Sequence, residues 1–190
     1  MMKREDLLST LIKELYDQSD SAKVNLGDAA MFTPMYGTLF CIRSVIGDQD
    51  PGSLVIEELF KKCLEISELI APILNSDSPE GYLGIETKCS AQILLLCTWR
   101  TSKEISLLFG QICQFAPNHL LCEMSKFFTK QLGEVKVSAT FTLLKDPLEG
   151  MDASSYLFLK VTYFLKSFLT ALVLFGSKNN QFLNSMTVGP

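Results

Sequence analysis

The sequence predicts an all-α fold made of stacked amphipathic helices. Apolar residues recur at three- and four-residue intervals over much of residues 3–132, and this spacing places them on one side of a helix. Hydrophobic residues make up 47% of the 190 positions, which is enough to bury a core. Polar stretches rich in Gly, Pro, Ser and Asn separate the apolar runs and are typical of connections between helices. We therefore expect successive helices that each bury one face against a neighbour.

The first two apolar segments are predicted to be helical. Residues 3–17 form one apolar stripe with charged residues on the other side. Residues 18–28 are rich in Ser, Asp, Asn and Gly, so a connection is expected there. A second apolar segment covers residues 29–46, and Pro34 within it either kinks the helix or marks its true start.

The next helix is expected to begin after the sequence Asp-Pro-Gly-Ser at 50–53 and to end near Leu74. Asp50 is a candidate cap for the first helical amides, and Pro51 is tolerated at the first helical position. Oppositely charged side chains four residues apart are expected to pair on a solvated face of this helix. These pairs are Glu57 with Lys61, and Glu58 with Lys62.

A loop and two adjoining helices are predicted next. Residues 75–88 contain several Ser, Asp, Pro and Gly residues and are expected to form the loop. One helix is predicted to end near Arg100 and another to begin at Thr101. The reason is that Thr101 and Glu104 have the spacing of a capping box.

The last helix of this region is expected to start at Asn118, after a proline, and to stop at Gly133. Beyond Gly133 the pattern changes, because residues 135–143 alternate between apolar and polar and therefore predict a strand. Residues 156–175 are almost continuously apolar, broken by two lysines. This run is interpreted as a buried helix, a membrane span or a poorly folded appendage, and the cost of burying the lysines argues against the span.

Composition excludes several classes of site. The net charge is −4 and the 17 basic residues are scattered, so autonomous nucleic-acid binding is not expected. The six cysteines show no Cys-x-x-Cys spacing, so reduced core cysteines are expected rather than a zinc site or a disulfide framework. No signal-peptide pattern opens the chain, and a cytoplasmic location is expected.

No catalytic, cofactor-binding or metal-ligating residue is predicted. The sequence contains no Gly-rich phosphate loop, dinucleotide fingerprint, metalloprotease helix or nucleophile elbow. The only histidine, His119, would need Cys113 or Cys122 beside it to act as a base for a nucleophile. Its place at a helix start favours an exposed side chain, so a cysteine-dependent enzyme is the weaker interpretation.

One aromatic and basic cluster stands out. Trp99, Arg100 and Lys103 lie close together in the sequence. Trp and Arg are effective anchors at interfaces, and both stack on nucleic-acid bases. The alternative is that Trp99 is a core residue and Arg100 a helix-end residue. The cluster is a candidate contact for a partner or for RNA.

Two segments resemble the thyroid adenoma-associated protein (THADA) family. The first is Ser-Pro-Glu-Gly at 78–81, and the second is Cys-Thr-Trp-Arg-Thr-Ser-Lys-Glu-Ile-Ser-Leu-Leu-Phe-Gly at 97–110. The Trp-Arg-x-x-Lys-Glu core of the second segment is the more specific. The resemblance covers about residues 5–132. It implies that four residues belong to the central domain of the family and are candidate partner or RNA contacts: Trp99, Arg100, Lys103 and Glu104.

The resemblance also implies a fold and a role. The fold would be a segment of a HEAT- or armadillo-like helical repeat, located in the cytosol. The role would be that of a non-catalytic partner of an FtsJ-type methyltransferase. That pair adds a 2′-O-methyl group to the ribose at position 32 of tRNA. The methyltransferase would bind S-adenosylmethionine, while this chain would need no cofactor and would meet tRNA through the complex.

The chain also departs from the family. Family members are several-fold longer, and their Arg-Arg-Ser-Ala-Gly-Leu-Pro motif has no counterpart here. The predicted organisation is a helical repeat segment over residues 1–132 and a non-family tail over residues 133–190. The tail would be irregular, with an apolar helix at about 153–176. A truncated or alternatively spliced form is expected. The alternative function is a membrane-associated helical protein anchored by residues 156–175.

Overall fold

The structure is a computed structural model that describes residues 3–75 and 89–134, and helices dominate both stretches. This confirms the predicted all-α class, and no strand occurs within these two stretches. Whether the helices form a HEAT- or armadillo-like repeat stays a prediction. In chain order the helices are α1 (Arg4–Val24), α2 (Leu26–Phe32), α3 (Met35–Ile46), α4 (Ser53–Leu74), α5 (Ala91–Ile112) and α6 (Asn118–Glu134).

Helix α5 lies at the centre of the packing. It contacts α2, α3 and α4, while α1 covers the same three helices from another side. An aromatic cluster of Phe60, Phe109, Phe127 and Phe128 joins α4, α5 and α6. The fully buried ring of Phe109 lies 5.1 Å from that of Phe60 and 5.0 Å from that of Phe127, measured between centroids. These separations suit favourable tilted and edge-to-face contacts.

The predicted connection over residues 18–28 is wrong, because α1 continues to Val24 and α2 follows after a single residue. The polar residues of this stretch are accommodated within the helix. The Ser21 hydroxyl donates to the carbonyl of Asp17, and Ala22 is buried against the core. Asn25 then separates the two helices, and its side-chain oxygen accepts from the backbone amide of Asp28 at 3.1 Å. Composition alone indicated a loop where burial stabilises a helix.

Pro34 marks the start of a helix rather than a kink within one. It is the N-cap residue of α3, which begins at Met35. Helices α2 and α3 are bent by 56° where they meet. Within the described ranges no single helix has the length and apolar character to span a membrane, and only this bent pair passes such a test when taken together.

Helix α4 has the predicted extent, but its start differs from the expectation. The helix begins at Ser53 and not at Pro51, and the carboxylate of Asp50 accepts from the backbone amide of Gly52 at 2.8 Å. Gly52 is the N-cap residue and has a φ of 90°, a conformation that residues with a side chain rarely adopt. Asp50 therefore shapes the turn that leads into the helix and does not cap it.

The expected charge pairs on α4 are replaced by others. Lys62 was expected to pair with Glu58 on a solvated face, but its side chain is only 3% exposed and pairs with Glu65. Glu57 was expected to pair with Lys61, but it lies 3.9 Å from the imidazole of His119. The partner of Glu57 comes from α6 and is distant in sequence, whereas Lys62 pairs with a residue three positions further along α4.

The buried Lys62 is the centre of a charged network between α1 and α4. Its ammonium donates to Glu65 at 2.9 Å, lies 3.9 Å from Asp20, and sits 4.3 Å from the ring centroid of Tyr16. Lys23 bonds to both Asp20 and Glu65. Hydrogen bonds from Lys23 and then from Lys62 lower the pKa of Glu65. The network stabilises a charge that would otherwise be costly to bury.

Helix α5 is continuous, so the predicted break between Arg100 and Thr101 is wrong. The Thr101 hydroxyl donates to the carbonyl of Cys97 at 2.8 Å within the helix and does not cap a new one. Glu104 bonds to another helix instead of completing a capping box. Thr101 and Glu104 have the spacing of a capping box. Both residues are buried, however, and burial at these positions favours an uninterrupted helix.

Helix α6 starts at Asn118 as predicted and includes Gly133, which was expected to end it. A glycine in a helix costs only about 1 kcal/mol relative to alanine, and packing elsewhere in the helix offsets that cost. The strand predicted at 135–143 and the apolar helix predicted at 153–176 lie outside the described residues. So does most of the predicted loop, residues 76–88. The proposed membrane anchor at 156–175 is therefore untested.

Candidate functional site

The four predicted contact residues occupy two environments on α5. Arg100 is exposed, and Lys103 is partly exposed. Glu104, by contrast, has a side chain only 10% exposed. Trp99 is half-buried and packs against the core, which agrees with the interpretation that it is a core residue. The outward-facing pair is therefore Arg100 and Lys103.

Helix α3 supplies three further residues that were not predicted from the sequence. Tyr36, Phe40 and Arg43 recur at four- and three-residue intervals and thus lie on one side of α3. The guanidinium carbon of Arg100 lies 5.3 Å from the centroid of the Tyr36 ring, and that of Arg43 lies 5.4 Å from the centroid of the Phe40 ring. We call the surface formed by Tyr36, Phe40, Arg43, Arg100 and Lys103 the α3–α5 face.

Glu104 connects residues of the two helices on the buried side of this face. Its carboxylate accepts from Nε of Arg43 at 3.2 Å and lies 3.8 Å from the ammonium of Lys103. The α3–α5 face thus combines three cations with one carboxylate, and the carboxylate is the buried member. The exposed part of the face is cationic, although the whole chain is acidic. An anionic partner would be favoured at this surface.

The C-terminal end of α3 is held in place by hydrogen bonds from side chains of two other helices. The Gln111 amide donates to the carbonyls of Arg43 and Gly47. The Arg4 guanidinium donates to the carbonyl of Val45 at 2.9 Å and to that of Ile46 at 2.9 Å. These bonds give additional donors to carbonyls at the C-terminus of the helix, and the positive charge of Arg4 complements the helix dipole there. The α3–α5 face is therefore built on well-fixed backbone.

A groove between α4 and α6 is the other concave surface of note. Its volume is about 590 Å³, and Leu64, Ala71 and Phe127 contribute its apolar walls. The buried hydroxyl of Ser67 has no hydrogen-bond partner within the described residues. Glutamates and lysines alternate on the rim, so the groove shows no preference for a ligand of one charge.

Two of the cysteine thiols are poor nucleophiles. Burial raises the pKa of the Cys63 thiol to about 12, and it also raises the pKa of Cys97. Such thiols stay protonated at neutral pH and are poor nucleophiles. His119 is exposed as predicted and faces Glu57. No cluster of three His, Cys, Asp or Glu side chains able to hold a metal occurs in residues 3–75 and 89–134.

All six cysteines are free thiols, as predicted. Cys63, Cys89 and Cys113 are buried, and Cys97 packs partly buried against the core. Two others, Cys41 and Cys122, are exposed and therefore depart from the expected core position.

Comparison with known proteins relates the chain to one family. The family model described as THADA/TRM732, DUF2428 matches residues 54–145. This match contains α5, and hence Arg100 and Lys103, whereas α3 precedes it. It also extends beyond residue 132, where the resemblance was expected to end. The domain division at residue 132 stays a prediction.

Several curated relatives carry the name tRNA (32-2′-O)-methyltransferase regulator THADA. The protein from Drosophila melanogaster is 30% identical over 128 residues, which covers 50% of this chain and 7% of the relative. The human protein is 22% identical over 189 residues, covering 63% of this chain and 10% of the relative. The mouse protein is 31% identical over 203 residues, covering 67% and 10%, respectively.

The chain thus spans a tenth or less of the length of these relatives. No solved structure matches it. The family match over α4, α5 and α6 and the shared name of the curated relatives agree with the resemblance seen in the sequence. The chain is therefore similar to the THADA/TRM732 family over residues 54–145, and it spans only a small part of the length of its relatives.

Proposed function

We propose that this chain is a non-catalytic scaffold segment of a cytoplasmic complex that 2′-O-methylates the ribose at position 32 of tRNA. An FtsJ-type methyltransferase would bind S-adenosylmethionine and perform the chemistry. The observation that carries the proposal is the match to this family, because the relatives are named as regulators of a tRNA (32-2′-O)-methyltransferase and not as methyltransferases.

The described residues support a role in holding partners. Long helices with fixed ends present side chains in a constant geometry, which suits a scaffold. The protonated, buried thiols of Cys63 and Cys97 do not favour nucleophilic chemistry. The α3–α5 face offers exposed cations and an exposed aromatic ring on rigid helices, and such groups dominate the energy of many interfaces.

The four residues first singled out receive different proposed roles. Arg100 and Lys103 contact a partner or RNA directly, since their side chains reach the surface. Glu104 is a positioning residue, since it bonds to Arg43 and is largely buried. Trp99 anchors α5 in the core.

The test is co-purification of the tagged full chain with an FtsJ-type methyltransferase from the same organism. We expect the methyltransferase to be retained at micromolar concentrations and to be lost with Phe109→Asp. That variant places a carboxylate at a fully buried position and disrupts the aromatic cluster. A folded wild-type chain that retains no methyltransferase would refute the proposal.

A further inference from the structure

We propose that the α3–α5 face binds unpaired RNA nucleotides, with phosphates held by its cations and a base stacked on Phe40. The inference rests on the proposed function only for the identity of the RNA, a tRNA loop. The binding chemistry itself follows from the residues of the face, and it departs from the expectation, drawn from the scattered basic residues of the sequence, that the chain does not bind nucleic acid by itself.

Phe40 presents an exposed aromatic ring on this face. Its side chain is 51% exposed although it is a large hydrophobic group. One side of the ring is approached by the guanidinium of Arg43 at 5.4 Å. A ring that is exposed beside a cation can accept a base by stacking while the cation meets the neighbouring phosphate. Proteins that bind single strands use this combination.

The charged side chains of the face are arranged to meet an anion. Arg43, Arg100 and Lys103 come from two helices and converge on one surface. The carboxylate of Glu104 lies beneath this group and fixes the direction of the Arg43 side chain. The exposed charge is therefore positive on a chain whose net charge is −4. A polyanion satisfies this surface, and stacking selects one with accessible bases.

Duplex RNA fits the face less well than unpaired RNA does. A duplex offers phosphates but keeps its base faces stacked on one another. It would therefore contact the cations of the α3–α5 face, but none of its bases would be free to stack on Phe40. An acidic protein segment would likewise use the cations. Stacking on Phe40 is thus the feature that separates unpaired RNA from both alternatives.

The experiment measures binding of the full chain to a fluorescein-labelled single-stranded RNA of about 12 nucleotides, a length within the range of single-strand binders. Anisotropy is recorded at several salt concentrations. We expect Phe40→Ala to weaken binding by about fivefold or more without changing the salt dependence, since it removes stacking only. Arg100→Gln should lower the slope of log affinity against log salt by about 0.7, the value for one phosphate contact on a single strand.

Matched controls come from α4. Leu54 is an apolar side chain 83% exposed, and Lys61 is an exposed cation. Leu54→Ala and Lys61→Gln should leave both the affinity and the salt slope at their wild-type values. Circular dichroism melts show whether each variant is folded, and only variants that melt like the wild type are compared.

The outcomes separate this inference from the proposed function. Wild-type affinity in both Phe40→Ala and Arg100→Gln would overturn the inference. So would loss of methyltransferase co-purification in these variants with RNA binding intact, because the face would then belong to a protein partner while the proposed function stands. RNA binding that depends on both residues, in a chain that never retains the methyltransferase, would support the inference and refute the proposed function.

Discussion

The ion pair between Arg43 and Glu104 should contribute about 2 kcal/mol to the stability of the fold. Two unit charges about 4 Å apart attract by about 4 kcal/mol at an effective dielectric of about 20. Part of that energy is lost to desolvation. The side chains are 26% and 10% exposed, so the pair lies between exposed pairs, worth about 0.2 to 1 kcal/mol, and buried pairs, whose disruption costs about 3 to 5 kcal/mol.

A double-mutant cycle measures this coupling. Urea unfolding is followed for the wild type, Arg43→Met, Glu104→Gln and the double variant. The fluorescence of Trp99, the single tryptophan of the chain, reports on α5. The coupling energy is obtained from the four free energies of unfolding, provided that the transitions are two-state.

The matched control cycle uses Glu123 and Lys126, which form an exposed pair at 2.7 Å on α6. It should give no more than about 0.5 kcal/mol, because solvent screens exposed pairs. If the Arg43 and Glu104 cycle gave the same value, the claim that Glu104 fixes Arg43 beneath the α3–α5 face would fail.

Three other predictions follow from burial and charge. Phe109→Ala should lower the free energy of unfolding by about 3 to 5 kcal/mol in urea titrations, because it leaves a cavity between three helices; a loss below about 1 kcal/mol would contradict the packing described. Glu65→Gln should destabilise the chain at pH 7. Because the pKa of Glu65 is lowered in the folded state, its contribution is present above the ordinary pKa of 4.5 and is lost as the pH falls through the lowered value. The difference between wild type and variant should therefore shrink below about pH 4.5, and a constant difference would show that the charge is not responsible. Iodoacetamide should label Cys41 and Cys122 in the native chain and Cys63 only after unfolding, as read by mass spectrometry; native labelling of Cys63 would show that it is not buried.

The helices themselves were largely predictable from periodicity. The extent of α4 from residue 53 to Leu74 followed from its apolar spacing and the turn residues before it. Errors occurred where local signals competed with burial. The Ser- and Asp-rich end of α1 is helical because Ala22 is buried, and α5 continues through Thr101 because Thr101 and Ser102 are buried. Amino-acid composition indicates the secondary structure that an isolated segment prefers. It does not indicate the packing that overrides this preference in the folded chain.

The candidate site was predicted only in part. Arg100 and Lys103 stood out because they lie near Trp99 in the sequence. Tyr36, Phe40 and Arg43 come from a helix about 60 residues earlier, and the Arg43 to Glu104 bond spans 61 residues. Nothing local indicates such a pairing. The spacing of the aromatic and basic residues on α3 was a usable signal, since it places them on one side of a helix.

Because α5 is uninterrupted, it connects residues at the surface rigidly to residues in the interior. Its 22 residues form a rod about 33 Å long, and Arg100 and Phe109 are separated by roughly two and a half turns. A rotation of the rod about its axis that relieves crowding around Phe109 must turn Arg100 through the same angle. Repacking around Phe109 therefore changes the direction of the Arg100 side chain, so an interior substitution would weaken the proposed RNA contact without altering any residue of the α3–α5 face.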